Sequence, residues 1–268
     1  MTRNFLIPHD FTEVGDSALK QGLYLAAATQ STISLLHIVK SDRYKAEAEA
    51  KLKAIKAKVQ NEYPNTEIKL YAVVGDIFEH IGNTAERLKS SLIIMGTHGA
   101  KGMQKVFGSF AMKVITSTSV PFMVVQNNVI IKKLEKIVFP LGIDPETLQI
   151  MGFASTLAKA FRAEVHLVAE KQSDAKYMHK TKVNFQVVAK QMAANDVKYE
   201  MKLLDGSGSY LSQIMDYTES INADMIAIAY YNQDVIQVFN KFAQNILTND
   251  LNKPALIINS KSVSSQHF

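Results

Sequence analysis

Residues 93–119, IIMGTHGAKGMQKVFGSFAMKVITSTS, form the stretch that decides the fold. The stretch begins inside a short apolar run, breaks at Gly96-Thr97-His98-Gly99, and becomes amphipathic after Gly108-Ser109. This order predicts a strand, a glycine-bearing loop and the N-terminus of a helix. Free backbone N–H groups and the positive end of the helix dipole meet at such a junction, so the stretch predicts an anion site.

The rest of the first half alternates between strand-like and helix-like segments. Short apolar runs predict strands at 4–7, 33–39, 67–74, 92–95 and 120–125, and spaced apolar residues predict helices at 14–28, 44–62, 77–88 and 109–117. Asp76 is predicted to cap the helix after the third strand. The alternation predicts an α/β domain whose doubly wound, mostly parallel sheet of five strands carries helices on both faces. Ligands bind such sheets at the carboxyl ends of the strands.

The second half of the chain repeats the first. Pro140 follows Pro8 by 132 residues and Pro254 follows Pro121 by 133 residues, and each proline adjoins a similar apolar run. Three further segments match at nearly the same separation, which predicts duplication of one domain. We therefore expect two tandem domains of the same fold, at residues 1–127 and 135–260, joined by a short connector.

Composition and charge narrow the class of protein. Of the 268 residues, 47% are apolar, which is enough for a buried core, and no run approaches the roughly 18 residues of a membrane helix. No cysteine is present, which excludes disulfides, thiol catalysis and cysteine-ligated metals. The seven histidines show no close pairing and predict no metal site. The net charge of +5 comes from dispersed lysines without a nucleic-acid motif, so we expect a cytoplasmic protein that binds neither nucleic acid nor a membrane.

Several of these segments together resemble the universal stress protein family. They are Pro8-x-Asp10 after the first strand, LLHIV in the second, Gly96-Thr97-His98-Gly99 followed by Gly108-Ser109, and the closing VPFMVV. Because of the internal repeat, the chain resembles a tandem member of that family. The resemblance implies a fold like that of the adenine nucleotide alpha hydrolases in both halves and an ATP site in the first.

The resemblance also implies which residues hold the nucleotide. Pro8 and His9 would flank the base, with Asp10 beside the ribose. The backbone of Ile38 would meet the adenine edge, and Mg²⁺ would accompany ATP, bound mainly through the phosphates. The implied nucleotide-binding residues are Pro8, His9, Asp10, Ile38, Met95, Gly96, His98, Gly99, Gly108, Ser109 and Phe110. No catalytic residue is implied.

The residues leave alternatives open at this site. Asp10 could serve only as a turn or N-cap residue before the first helix, and His9 could stack on a base or only decorate its loop. His98 could bond its own loop instead of a ligand. The interval between Gly99 and Gly108 is eight residues, one fewer than in the ATP-binding members of the family.

The second half lacks the features of the phosphate loop. Tyr230 and Tyr231 occupy the position of the glycine-bearing loop, and no glycine follows Ser209. Tyrosine side chains would obstruct close approach of the backbone to a phosphate, so we predict that the second domain binds no ATP at the equivalent site. The segment 206–209, Gly-Ser-Gly-Ser, is suggestive of an anion nest but is interpreted as a turn that caps the following helix.

Three functional hypotheses follow. The first is a stress-response regulatory protein that binds ATP in its first domain and acts through conformation or partner binding, with at most slow ATP hydrolysis. The second is a scaffold or interaction protein of the same fold that binds no nucleotide, which the short glycine interval favours. The third is an adenylyl-transferring enzyme, which would carry an HxGH signature or a serine- and glycine-rich loop after the first strand. The segment PHDFTE is neither.

The fifth strands predict how the two halves pair. Residues 120–125 and 254–258 are these strands, and domains of the family commonly pair through them. Their pairing with each other would give an intramolecular pseudo-dimer and would cover two exposed edges. A further homodimer is compatible with the sequence, which does not identify protein partners.

Overall fold

The computed structural model describes residues 3–97, 112–126, 131, 133–142, 146–230 and 236–259. Contacts between Cα atoms divide the chain into two units. The first comprises Met1–Lys132 with Leu247–Asn252, and the second comprises Lys133–Ile246 with Lys253–Phe268.

The first unit alternates strands with helices along the chain. Its elements are β1 (Asn4–Pro8), α1 (Glu13–Thr29), β2 (Thr32–Val39), a 3-10 turn (Asp42–Tyr44), α2 (Lys45–Gln60), β3 (Ile68–Val74), α3 (Ile77–Arg87), β4 (Leu92–Thr97), the helical residues 112–115 (α4) and β5 (Phe122–Gln126). The strands are parallel and lie in the order β3-β2-β1-β4-β5. The chain therefore runs outward from β1 to β3 and then crosses to the other side of β1, which places a switch point between β1 and β4. The predicted doubly wound fold is confirmed.

The second unit has the same strand order. Its elements are β6 (Lys136–Pro140), α5 (Glu146–Phe161), β7 (Glu164–Glu170), α6 (Ala175–Ala194), β8 (Tyr199–Leu204), α7 (Tyr210–Ser220), β9 (Met225–Tyr230), α8 (Ile236–Leu247) and β10 (Ala255–Asn259). The order β10-β9-β6-β7-β8 matches β5-β4-β1-β2-β3 element by element, and these strands too are parallel. The internal repeat predicted from the sequence is therefore a repeat of structure.

The central strand of the first unit is buried on both faces. Phe5, Leu6 and Ile7 of β1 are at most 3% exposed. A strand that helices cover on both faces needs apolar side chains at consecutive positions, and each such side chain contributes about 1.5–3 kcal/mol relative to an exposed one. The corresponding run in β6, residues 137–139, is buried in the same way.

Side chains cap the helices that begin near the carboxyl ends of the strands. Asp76 accepts a hydrogen bond from the N–H of Phe78 over 2.9 Å, so its predicted role as the N-cap of α3 is confirmed. Ser209 caps α7 in the same manner, because its hydroxyl accepts from the N–H of Ser212 at 3.2 Å. The segment 206–209 therefore forms the turn that caps this helix.

Strand β4 extends two residues beyond its predicted end. The sequence predicts a break at Gly96, yet Gly96 pairs with Val125 of β5 and Thr97 also stays in the strand. A Cβ atom at Gly96 would lie 2.3 Å from the carbonyl oxygen of Val14 in α1. The glycine is therefore required where a helix backbone packs directly on the strand.

We expect opposite effects from alanine at two glycines. Gly96→Ala forces its methyl group against the backbone of Val14, which should lower the free energy of unfolding by about 1–3 kcal/mol. Gly152 is the matched control, because it lies inside α5 and a Cβ there would meet, among the described residues, only Gln191 Nε2, at 3.6 Å. Gly152→Ala should raise stability by about 0.5–1 kcal/mol, since alanine loses less conformational entropy in a helix than glycine. Urea unfolding of the full chain measures both changes, and equal effects would contradict the packing argument.

Candidate functional site

A cavity lies at the carboxyl ends of β1, β2 and β4, where the switch point was expected. Its volume is about 370 Å³, within the range of roughly 300–1,000 Å³ that ligand pockets show. Six of the predicted nucleotide-binding residues line it: Pro8, His9, Asp10, Ile38, Met95 and Gly96. The other five predicted residues, His98, Gly99, Gly108, Ser109 and Phe110, lie outside the described residues.

The cavity is lined mainly by apolar side chains. They come from α1, β2, α3, β4 and α4, and include Val14, Leu36, Ile38, Ile77, Phe78, Ile81, Met95 and Val114. The sequence analysis missed the contribution of α3, although the helix is amphipathic and begins directly after a strand. A flat apolar group such as a purine base can lose its water in a space of this kind at little cost.

The backbone of Ile38 offers hydrogen-bonding groups to this cavity. In a parallel strand, the N–H and C=O of one residue point to the same side, and the side alternates along the strand. Leu36 O accepts from His9 N on the β1 side at 2.8 Å, whereas Val39 O accepts from Gly75 N on the β3 side at 3.0 Å. The Ile38 groups therefore point to the β1 side, two residues beyond the last β1 pair, Pro8 with Leu36.

Asp10 forms the turn that leads from β1 into α1. Its Oδ1 accepts from the N–H of Thr12 at 3.1 Å and from the Thr12 hydroxyl at 2.6 Å. Thr12 in turn is the N-cap of α1, since its hydroxyl accepts from the N–H of Gly15 at 3.4 Å. Asp10 is therefore the turn residue and Thr12 the cap. Both of these bonds use Oδ1 of the exposed Asp10 carboxylate, so Oδ2 can accept from a ligand hydroxyl.

His9 is a buried anchor of the same loop. Its side chain is 1% exposed, and both ring nitrogens have partners within the loop and α1. The N–H of Phe11 donates to Nδ1 at 3.0 Å, so Nε2 carries the proton and donates to Asp16 Oδ1 at 3.2 Å. The ring therefore holds the loop together, and His9 is also one of the residues that line the cavity.

The charge state of His9 follows from its burial. Burial lowers the pKa of the His9 imidazole from its ordinary value of 6.5, although the neighbouring Asp16 carboxylate acts in the opposite direction. A proton on Nδ1 would also remove the acceptor that the Phe11 N–H uses. The neutral ring is therefore part of the folded loop.

Phe11 and His37 stack beside the cavity. Their ring centroids lie 4.0 Å apart, and Phe11 adopts a left-handed backbone with a φ of 65°. His37 Nδ1 lies 2.6 Å from the carbonyl oxygen of His9 and donates to it. Positive φ at an aromatic residue has no sequence signal, so this stack could not be read from the chain alone.

The second unit has the same backbone hydrogen bond at this point but different side chains around it. Leu141 N donates to Val168 O at 2.7 Å, as His9 does to Leu36 in the first unit. Tyr210 is the first residue of α7, as Ile77 is of α3. The Tyr210 hydroxyl donates to Val168 O at 3.1 Å, and burial raises the pKa of this hydroxyl.

Tyr210 therefore reaches into the region that corresponds to the apolar cavity of the first unit, and a smaller cavity of about 260 Å³ remains beside its ring. Its ring packs against the cluster around Val138, Val168 and Ile214 and stacks on Phe242 at a centroid distance of 6.4 Å. Tyr230 and Tyr231, which the sequence analysis identified as the obstruction, have side chains outside the described residues. The structure thus adds an obstruction at the base position to the one predicted at the phosphate loop.

The fold and this cavity define a class, the doubly wound α/β domains that bind ligands at a switch point. Within that class, residues 1–126 match the Universal stress protein family. Comparison of the sequence with curated proteins found no significant match.

Solved structures extend the likeness of fold to the whole chain. A universal stress protein from Archaeoglobus fulgidus DSM 4304 is 17% identical, with a TM-score of 0.78 over 96% of this chain and 98% of its own. A functionally unknown protein from Pseudomonas aeruginosa PAO1 is 14% identical, with a TM-score of 0.69 over 98% of this chain and 95% of its own. These likenesses establish the fold of both halves.

Shorter universal stress proteins align with about half of this chain. One was solved in complex with cAMP and is 16% identical, with a TM-score of 0.41 over 47% of this chain and 98% of its own. Another, from Archaeoglobus fulgidus, was solved in complex with dAMP and is 17% identical, with a TM-score of 0.39 over 46% of this chain and 97% of its own. At these TM-scores, neither complex bears on what this chain binds.

Within the described ranges, no helix has the length and apolar character needed to cross a membrane.

We expect His9 to titrate below pH 6.5 in the folded protein. Asp16→Asn should lower the pKa further, because it removes the charge that favours the imidazolium ion. Since the unfolded chain then binds more protons than the folded one, stability should fall as the pH drops through about 6.5 toward the folded-state pKa. NMR titration of the His9 ring protons in parent and variant measures the shift. A midpoint above 6.5 would contradict the role of burial.

Proposed function

We propose that the first unit binds an adenine nucleotide, ATP with Mg²⁺, and that the protein is a stress-response regulator that acts through conformation or partner binding. The observation that carries the proposal is the backbone of Ile38, which points into an apolar cavity beyond the last β1 pair. An N–H and a C=O on one edge complement the N1 acceptor and the N6 donor of adenine. The match of residues 1–126 to the Universal stress protein family supports the same ligand.

The parts of a nucleotide have separate places in this proposal. The base occupies the space between β2, α3 and β4, and a ribose hydroxyl donates to Asp10 Oδ2. The phosphates reach the segment that contains Gly99, Gly108 and Ser109, which lies outside the described residues. Mg²⁺ is held mainly by the phosphates, because it needs few protein ligands.

Binding rather than turnover is the proposed activity, with ATP hydrolysis at most slow. Both ring nitrogens of His9 have partners, and one oxygen of Asp10 is used in the turn. An interaction protein that binds no nucleotide is the second candidate, favoured by the eight-residue interval between Gly99 and Gly108. Protein partners, the predicted pairing of the fifth strands and a further homodimer stay predictions.

The second unit suggests the sharpest test of where the nucleotide binds. Ile77→Tyr places at the start of α3 the residue that α7 has at its start, and the new ring should occupy part of the cavity, as Tyr210 does in the second unit. We expect the dissociation constant for Mg²⁺–ATP to rise at least about 10-fold, a loss of about 1.4 kcal/mol. Ile77→Leu, which preserves volume, should bind like the parent. Isothermal titration calorimetry on the full chain measures all three.

Two results would contradict parts of the proposal separately. No heat from the parent with millimolar ATP would overturn nucleotide binding and favour the interaction protein. Binding by the parent with unchanged affinity in Ile77→Tyr would place the nucleotide elsewhere.

Asp10→Asn separates the ribose contact from the turn. Asparagine keeps an acceptor at Oδ1 for Thr12, so α1 should begin as before. It removes the charge from the hydrogen bond to the ribose, which should weaken adenosine binding by about 1–2 kcal/mol, or roughly 5–30-fold. Adenine, which has no ribose, should bind parent and variant alike. Equal losses for adenine and adenosine would instead indicate damage to the loop.

A further inference from the structure

A histidine and two glutamates meet on the second unit, away from the cavity discussed above. Glu164 begins β7, and His166 lies two residues later on the same face. Glu200 is the partner of His166 in the register between β7 and β8. One ligand atom from each of these three side chains lies within 4.8 Å of the other two.

The His166 ring has an unused nitrogen. The residue is 3% exposed, and Nδ1 lies 2.9 Å from the Tyr217 hydroxyl and 3.6 Å from Glu200 Oε2. Its other nitrogen, Nε2, is buried and has no hydrogen-bond partner among the described residues. Nδ1 is therefore the ring nitrogen that faces Glu200, and the orphan Nε2 is a second feature of the ring that calls for an explanation, because buried polar groups are normally satisfied.

We propose that Glu164, His166 and Glu200 form a binding site for a divalent transition-metal ion such as Zn²⁺. One imidazole nitrogen and two carboxylates suit zinc and its neighbours in the first row, whereas Mg²⁺ and Ca²⁺ prefer oxygen ligands alone. Three protein ligands also leave a coordination position for water. The Tyr217 hydroxyl contacts Nδ1, the nitrogen that faces Glu200, and holds the imidazole beside the carboxylates.

The charges around the ring are compatible with this role. Burial lowers the pKa of the His166 imidazole, against the effect of the carboxylates of Glu164 and Glu200, so the ring is available as a neutral ligand. The ammonium group of Lys136 on β6 acts on the ring in the same direction as burial. Its Nζ donates to Ile221 O at 3.1 Å, so the ammonium group is bonded to a backbone carbonyl.

The repeated fold supplies an internal comparison. In the first unit, β2 has Ser34 opposite Lys69 of β3, where β7 has His166 opposite Glu200 of β8. Ser34 is buried and donates to Asn4 Oδ1 at 2.9 Å, so this position has a satisfied hydroxyl in place of an imidazole. The cation site therefore belongs to the second unit and is independent of the proposed nucleotide site.

This site departs from the expectation that the seven histidines provide no metal ligands. Glu164 and His166 form a pair spaced for one strand face, but Glu200 joins them only through the register of the next strand. Pairing across 34 residues has no signature in the sequence.

Calorimetric titration of metal-free full chain with ZnCl2 tests the proposal, without nucleotide present. Glu200→Gln and Glu164→Gln keep the shape of each side chain but remove the ligand charge. We expect each to weaken Zn²⁺ binding by at least about 10–100-fold, the loss typical even for outer-shell partners. His179→Gln, an exposed histidine on α6, is the matched control and should bind like the parent.

Two further measurements keep the test decisive. Zn²⁺ should shift the ring-nitrogen resonances of His166, and Co²⁺ should give visible d–d absorption that Glu200→Gln abolishes. Equal affinities of parent and Glu200→Gln, or loss of binding only in His179→Gln, would overturn the site and indicate an adventitious surface ion. Because the titration contains no nucleotide, neither result affects the proposal that the first unit binds ATP.

Discussion

The last hydrogen bond between β1 and β2 determines where the cavity lies. His9 N–H donates to Leu36 O across 2.8 Å, and the chain then leaves the sheet through the turn that Asp10 forms. One more paired residue on β1 would cover the backbone groups of Ile38 and close the space. The buried His9 ring and the Asp10 turn therefore hold the exit point with a few hydrogen bonds, each worth about 0.5–1.5 kcal/mol. The chemistry available to a ligand follows from that position.

The duplicated domain keeps this backbone geometry and changes the side chains around it. Leu141 and Val168 reproduce the last hydrogen bond of β1 in the second unit. The residue that begins the helix after the third strand is isoleucine in one unit and tyrosine in the other, and the tyrosine ring packs into part of the space that is open in the first unit. A similar exchange on the second strand sets a serine in one unit against His166 in the other. Fold and site thus vary independently in the two halves of one chain.

The fold could be predicted from the sequence because its signals are local. Apolar runs, helix caps such as Asp76 and the repeat spacing each occupy a few consecutive residues. Six residues of the cavity were implied by the family resemblance, whose motifs are also short stretches of sequence. Features that depend on side chains far apart in the chain could not be predicted. The burial of His9, the filling of the second cavity by Tyr210 and the approach of Glu200 to His166 all depend on tertiary contacts. The close packing of α1 on β4, which requires Gly96, is of the same kind.

The Tyr210 side chain lies where a bound ligand would lie, but it is covalently attached to the protein. A free molecule must lose translational and rotational freedom to enter a pocket, whereas a tethered ring has no such cost. The packing of the Tyr210 ring is therefore independent of any solute. A ligand of the open cavity, in contrast, stabilises the first unit in proportion to the logarithm of its concentration once it exceeds the dissociation constant. The Tyr210 ring is thus a constant part of the second unit, whereas the proposed ligand of the first unit would stabilise it only when present.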